Sequence, residues 1–223
     1  MITVHHLEHS RSQRVLWLLE ELGLDYEIVR YARDPKTSLA PPELTEVHPL
    51  GKSPVITDGD VTVAESGAIL EYVIGRYGEG RLKPPEGTEA HRRYVYWMHY
   101  AEGSLMPLLV TKLIFNRVET APMPFFVKPV AKQISKTVKD MYLDPNLERH
   151  LAFLEQELGR SEWFAGDELT GADIQMSFPV EGAAARGGLG SARPRLRAFL
   201  DRVHERPAYR RALERGGPLE ILG

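Results

Sequence analysis

With 43% apolar and 26% charged side chains, the 223 residues describe a folded globular chain, neither disordered nor fibrous, with room for two modest domains. A formal charge of -3, with basic residues dispersed among acidic ones, gives no electrostatic footprint for nucleic acid or anionic lipid, and no apolar run is long enough to span a bilayer. The cysteine count is zero, which removes disulfides, thiolate metal sites and any cysteine nucleophile: if thiol chemistry happens here, a ligand brings the thiol.

The chain opens on ITVHHL, a β-rich run with no signal-peptide pattern before it, which implies a cytoplasmic protein. Apolar residues at 15, 16, 18, 19 and 22 predict a helix over Val15–Leu22 that stops at Gly23, and Tyr26–Arg30 reads as a second strand, parallel to the first. After a polar stretch from Asp34 to Pro49, PVITDGDVTVAE predicts two antiparallel strands joined through Asp58–Gly59. A helix follows from Ser66 to about Gly78. RLKPPEGT, residues 81–88, carries the turn formers of a linker. Beyond it every segment is helical: Thr88 to about Phe115, Pro124 to Leu158 with a break near Asp144–Pro145, then 170–186, 193–204 and 207–215. The expected architecture is α+β, with a βαβ–ββα domain over 1–80, a linker over 81–88 and an all-helical domain over 89–223.

Several motifs bear on chemistry. His5, His6 and His9 invite a metal reading, but His5 and His6 are neighbours in a strand, so their side chains leave opposite faces and cannot share one ion; no metal is expected. Ser10-Arg-Ser-Gln13 fits a capping box in front of the first helix, and a helix mouth favours negative charge. The GKS of His48-Pro-Leu-Gly-Lys-Ser-Pro-Val55 lacks the spacing of a phosphate loop and leads into a strand. Ser66 is placed to cap the third element's helix, whose free N–H groups suit a carboxylate, while Glu65 beside it suits an ammonium; together they fit an α-amino-acid head group, and equally a plain cap with a solvated glutamate. Thr170 as N-cap, Asp173 at N3 and a Leu169–Ile174 staple read as folding signals. Tyr94, Tyr96, Trp97 and Tyr100 have the spacing of a core face.

In this order, SRSQRVLWLLEELGLDYE, HPLGKSPVITDGD, AESGAILEYV, YWMHYAEGSLMPLL and FAGDELTGADI resemble the glutathione S-transferase superfamily over essentially the whole chain, most closely its serine-type fungal and bacterial branch. The resemblance implies a thioredoxin-like first domain, a helical second domain, glutathione as co-substrate, a hydrophobic electrophile, and a homodimer. It places the sulfur-binding role on Ser10, with His9 as the alternative one residue away and Ser12 as a third candidate. It assigns Ser53, before a cis Pro54, to the cysteinyl main chain, Lys52 to the glycyl or γ-glutamyl part, and Glu65 and Ser66 to the γ-glutamyl head. Glu102, Met106 and Phe115 are the positions it suggests for the electrophile pocket. A glutathione-dependent peroxidase or thiol reductase, or a non-catalytic module on the same fold, are the competing readings.

Overall fold

The computed structural model describes residues 1–185, 189–190 and 192–219. Four strands form one sheet in the order β2-β1-β3-β4: β1 (Ile2–Leu7), β2 (Tyr26–Tyr31), β3 (Val55–Asp58) and β4 (Val61–Ala64). β1 pairs parallel to β2 from Ile2 with Tyr26 to Leu7 with Tyr31, and antiparallel to β3 from Ile2 with Asp58 to His5 with Val55. As an interior strand covered by helices it carries almost no solvent-facing positions, whereas the β3–β4 hairpin closes at Gly59 and lies at the edge.

α1 (Gln13–Leu22) begins two residues earlier than its apolar pattern predicts and ends where predicted, at Gly23 in the left-handed conformation (φ 67°). It is buried almost all round, because α3 (Ser66–Tyr77), α8 (Gly171–Ala185) and α10 (Pro207–Gly216) enclose the sides that the sheet leaves open. The polar stretch before Pro49 contains a four-residue helix, α2 (Leu44–Val47), that no periodicity announced; buried Leu44 pins it.

Thr88 caps α4 (Glu89–Tyr100) by accepting the His91 N–H at 3.1 Å. α4 passes through a π turn at Ala101–Leu105 into α5 (Met106–Thr120), beyond the predicted end at Phe115. The second long segment starts later than expected, at Lys128, and shows no break at Asp144–Pro145. α6 (Lys128–Val138) runs through a π turn at Lys139–Leu143 into α7 (Asp144–Glu157). Both π turns stand just ahead of a proline, Pro107 and Pro145, which can neither donate to nor tolerate the carbonyl four residues back; a widened turn moves that carbonyl aside and lets the helix continue.

α8 (Gly171–Ala185) is the buried axis of the helical half; its expected end at 186 lies outside the described residues. Asp173 accepts the Phe164 N–H at 2.7 Å and both the N–H and hydroxyl of Thr170 at 2.8 Å, so the box read from sequence forms, with the acid as its acceptor. α9 (Pro194–Glu205) and α10 (Pro207–Gly216) complete the chain, and α10 returns to α1. Trp17 meets Tyr209 edge-to-face at 5.3 Å, Arg206 pairs with Glu21, and Arg211 pairs with Glu20 at 2.7 Å. A single apolar core runs through both halves, from Leu16 and Val73 to Trp97, Phe164 and Phe199. Tyr94, Trp97 and Tyr100 lie in it as expected; Tyr96 does not, being 49% exposed on the outer face of α4. Among the described residues no helix is long and apolar enough to cross a membrane, and no group of three or more His, Asp or Glu is placed to hold a metal ion.

Candidate active site

Where the carboxyl end of β1 meets the mouths of α1 and α3, a cleft of about 330 Å³ is lined by Arg11, Lys52, Ser53, Pro54, Glu65, Ser66, Glu102 and Val110, with His48 and Leu50 at its rim. Five residues expected from sequence at the glutathione site thus share one wall. The Ser53–Pro54 bond is cis, and the Ser53 hydroxyl donates to the His5 carbonyl at 2.8 Å while accepting the Leu7 N–H at 3.2 Å, which fastens this segment to β1.

Ser66 is not the cap of α3 that the sequence suggested. Glu65 occupies that position, at φ 72° and ψ 125°, and no side chain caps the helix. A non-glycine residue held there stores on the order of 1–3 kcal/mol, a cost met at sites where geometry matters more than local comfort. Ser66 is the first residue of the helix, and its hydroxyl oxygen accepts from Arg14 Nη2 at 2.8 Å. Since that oxygen carries one proton and the guanidinium can only donate, the Ser66 O–H is left to point elsewhere.

Arg14 is fully enclosed. Its Nη2 also donates to Glu102 at 2.6 Å, and its Nη1 donates to the Gln175 carbonyl at 2.8 Å. That carbonyl is available because Pro179, four residues on in α8, has no N–H to offer it. Arg11 reaches the same Glu102 through Nε at 3.1 and 3.2 Å. Burial pushes the Glu102 carboxyl up, but Arg14 and Arg11 beside it more than offset this and hold it below the usual carboxylate range.

The three sulfur candidates lie together but face differently. Ser12 is fully buried; its hydroxyl bonds His6 Nδ1 at 2.8 Å and Ser10 Oγ at 2.7 Å, so it is withdrawn from the cleft. Ser10 Oγ also accepts the Ser12 N–H at 3.3 Å. The expected capping box does not form: α1 begins at Gln13 with Ser12, not Ser10, in the N-cap position and no side chain capping it, and the Gln13 amide is buried with its nitrogen lacking a partner. His9 sits at the turn itself, at φ 50°. His6 completes the chain by bonding the Gly216 carbonyl through Nε2 at 3.0 Å, where the glycine lets α10 lie close against the tip of Leu16. His5 instead turns to Tyr31, on the opposite side, at 3.0 Å.

On the opposing wall, Met106 is enclosed in the core and Phe115 is half-buried, its carbonyl accepting the Ser135 hydroxyl at 2.8 Å. Glu102 belongs to the arginine cluster instead of an apolar pocket. The π turn explains the displacement: in an uninterrupted helix residues 106 and 109 would share the face of Glu102, but the extra residue rotates the remainder of the helix by roughly 100°, and Val110 takes the place at the cleft. Arg11, Arg14 and Val110 were missed by sequence reading. Arg11 lies inside the motif that pointed to Ser10, and could have been found there.

Comparison with known proteins agrees with this geometry. Residues 1–74 match the family model for the glutathione S-transferase N-terminal domain and residues 117–207 that for its C-terminal domain. Glutathione S-transferase 3 of Schizosaccharomyces pombe is 38% identical over 96% of this chain and 88% of its own length. Glutathione S-transferase 1 of Saccharomyces cerevisiae is 37% identical over 83% and 82%. The chain belongs to the glutathione S-transferase family. A solved glutathione S-transferase from Actinobacillus pleuropneumoniae has the same fold, with a TM-score of 0.80 and 34% identity over 99% of this chain and 95% of that one. The protein is a glutathione transferase: a small sheet domain followed by a helical domain, with glutathione as its thiol substrate.

Proposed function

We propose that the transferase holds glutathione along the cleft with its γ-glutamyl head on Glu65 and Ser66, its cysteinyl main chain beside Ser53 and Pro54, and its sulfur at the turn of His9 and Ser10. The observation that carries this is Ser66: it lines the cleft, its oxygen accepts from Arg14, and its O–H is free to donate at the mouth of α3, where a carboxylate also meets the free N–H groups of the first turn. Glu65 supplies the charge for the ammonium, and Lys52 faces the glycyl end. Residues 1–80 form the glutathione-binding domain, 81–88 the linker and 89–223 the domain that completes the electrophile side. The chain acts in the cytoplasm as a homodimer in detoxification, and its sulfur contact makes it a serine-type enzyme.

Glutathione thiolate then attacks a soft electrophile. Near pH 7.5 only about a tenth of a thiol of pKa ~8.5 is ionised, so a two-unit drop raises the thiolate roughly tenfold. With a Brønsted slope of ~0.4–0.5 the same drop weakens the nucleophile about eightfold. The two nearly cancel, so most of the acceleration comes from holding sulfur and electrophile in contact. Titration calorimetry with glutathione, followed by conjugation of 1-chloro-2,4-dinitrobenzene, tests the proposal. Saturable heat together with thioether formation is expected; absence of binding at millimolar glutathione would end it.

A further inference from the structure

We propose that the electrophile side of the cleft is built for an apolar electrophile that carries its own anionic group, a carboxylate or sulfonate, with Arg11, Arg33 and Arg117 as the cations that receive it. The inference rests on the reading above that sulfur lies at the His9–Ser10 turn, and it names the substrate class of that same site.

The three guanidiniums come from different elements: Arg11 lines the cleft, Arg33 lies against the turn, and Arg117 stands further along the face of α5 that Val110 presents to the cleft. Arg11 lines the cleft with its Nε on Glu102 and its guanidinium over the Phe178 ring at 5.4 Å, an arrangement that fixes the side chain without using its terminal nitrogens. Arg33, just beyond β2, lies against the turn itself. It donates to the carbonyls of Glu8 at 3.2 Å, His9 at 3.4 Å and Ser38 at 2.9 Å, all neutral acceptors. Arg117 stands on α5 seven residues after Val110, hence within about 20° of the same helix face. It is exposed, and no acidic partner of it is present among the described residues. Between Arg117 and the cleft lie Val110 and Ile114, the latter 53% exposed, which supply an apolar wall.

Among the described residues Glu102 is shared between Arg11 and Arg14, and Glu8, which accepts the Arg33 backbone N–H at 2.7 Å, is the one carboxylate set against Arg33, so two carboxylates face four guanidiniums counting Arg14. The Arg33 guanidinium is held below its ordinary range, first by burial and then by Arg11 and Arg117, with Glu8 opposing. An anion placed among the three would relieve that mutual repulsion, and a neutral electrophile would not.

Two chloroarenes that differ in one substituent test this. In both, the thiolate carbon–sulfur bond forms at the chlorinated carbon, chloride leaves with its bonding pair, and the thiol proton passes to solvent. The neutral probe is 1-chloro-2,4-dinitrobenzene and the anionic one is 4-chloro-3,5-dinitrobenzoate, each kcat/KM being divided by its uncatalysed rate constant with glutathione. At low ionic strength the benzoate is expected to show an enhancement at least tenfold the larger, shrinking as sodium chloride is raised to 0.5 M, and Arg117→Gln is expected to cut the ratio of the two enhancements about fivefold with no fall in Tm. Conjugation of both probes without preference overturns this inference alone. So does an Arg117→Gln effect equal on both probes, or one that appears in the KM for glutathione instead, since the cations would then serve glutathione's own carboxylates. Failure to conjugate either probe overturns the assignment of the cleft as well.

Discussion

A carbonyl only accepts, and from that single fact the direction of the buried hydroxyl chain can be worked out. Gly216 obliges His6 Nε2 to carry the proton; a neutral ring then accepts at Nδ1, so Ser12 donates to His6 and Ser10 donates to Ser12. Burial holds His6 below its ordinary range, with Arg30 and His9 reinforcing this and the Gly216 bond and Glu8 opposing it, so the ring is neutral at neutral pH. On the proposed reading, Ser10, which is buried behind the cleft and already accepts the Ser12 N–H, keeps one lone pair for an arriving S–H and must break its bond to Ser12 before it can donate to a thiolate. Ser66 is the opposite case, a committed acceptor with its proton free. The two serines should fail differently. Ser10→Ala is expected to lower kcat about tenfold with little change in glutathione affinity. Ser66→Ala removes a hydrogen bond to a charged group, typically ~1.5–3 kcal/mol, and should raise the Kd for glutathione about tenfold or more. Calorimetry beside steady-state kinetics separates the two, and equal losses of affinity in both variants would refute the division of roles. The Glu65–Ser66 pair was legible in sequence because its chemistry is local and its neighbours in the chain are its neighbours in space. The parts that orient it were not: Arg14 joins Ser66 to Gln175, and His6 joins Ser12 to Gly216, contacts that bridge 52, 161 and 210 positions.

At the level of elements, prolines do more than stop helices. Pro179 lies inside α8 and yields a carbonyl to Arg14, so a helix defect in one half of the chain becomes a ligand for the cation that orients Ser66 in the other. Pro179→Ala should restore a backbone donor for Gln175 and compete with Arg14. Tm is expected to hold or rise while the Kd for glutathione increases several-fold; a variant that binds as well as the parent would show Arg14 to be indifferent to that carbonyl. The Asp173 box makes the reverse prediction. Removing its carboxylate leaves two buried N–H groups and a hydroxyl unpaired, which at ~1–3 kcal/mol each should lower the Tm of Asp173→Ala by on the order of 10–20 °C. Burial pushes the Asp173 carboxyl up to about 6, against the pull of its donors. A raised folded-state value means stability that is full below the unfolded pKa of 3.8 and lost as pH climbs through about 6, so the deficit of the variant should be larger at pH 5 than at pH 8. Calorimetric scans at the two pH values decide the matter. The stop at Gly23, the turn at Gly59 and the Thr170–Asp173 box could be read from sequence because each is settled within a few residues of chain. The break anticipated at Pro145 could not be corrected in advance, since a chain has two answers to a proline, ending the helix or widening a turn, and tertiary packing chooses.

For the molecule as a whole, the proposed homodimer can be tested at the face of α3 and α4 beyond the cleft. A hollow of about 740 Å³ between Ala68, Glu71, Val95 and His99 adjoins the cleft through Glu65 and Glu102, and Val95 and Tyr96 stand exposed beside it. Light scattering at micromolar concentration should give a dimer for the parent and a monomer for a Val95→Arg, Tyr96→Glu double variant; a double variant that remains dimeric would move the interface elsewhere. The division into a sheet half and a helical half was plain from the switch in periodicity after residue 80, but nothing in the pattern disclosed that the last helix packs on the first. Arg215 lies over the Tyr26 ring at 3.7 Å and Arg30 bonds the Gly216 carbonyl at 3.0 Å, in addition to the Trp17–Tyr209 contact. On a ribosome, then, the opening strand and helix emerge long before residues 207–216 exist to cover them, and Leu16 and Trp17 must wait, half-clothed, through the making of everything between. A nascent chain arrested near residue 180 should accordingly be a good client for chaperones, and a protease would find its first thirty residues easier to reach than in the finished enzyme.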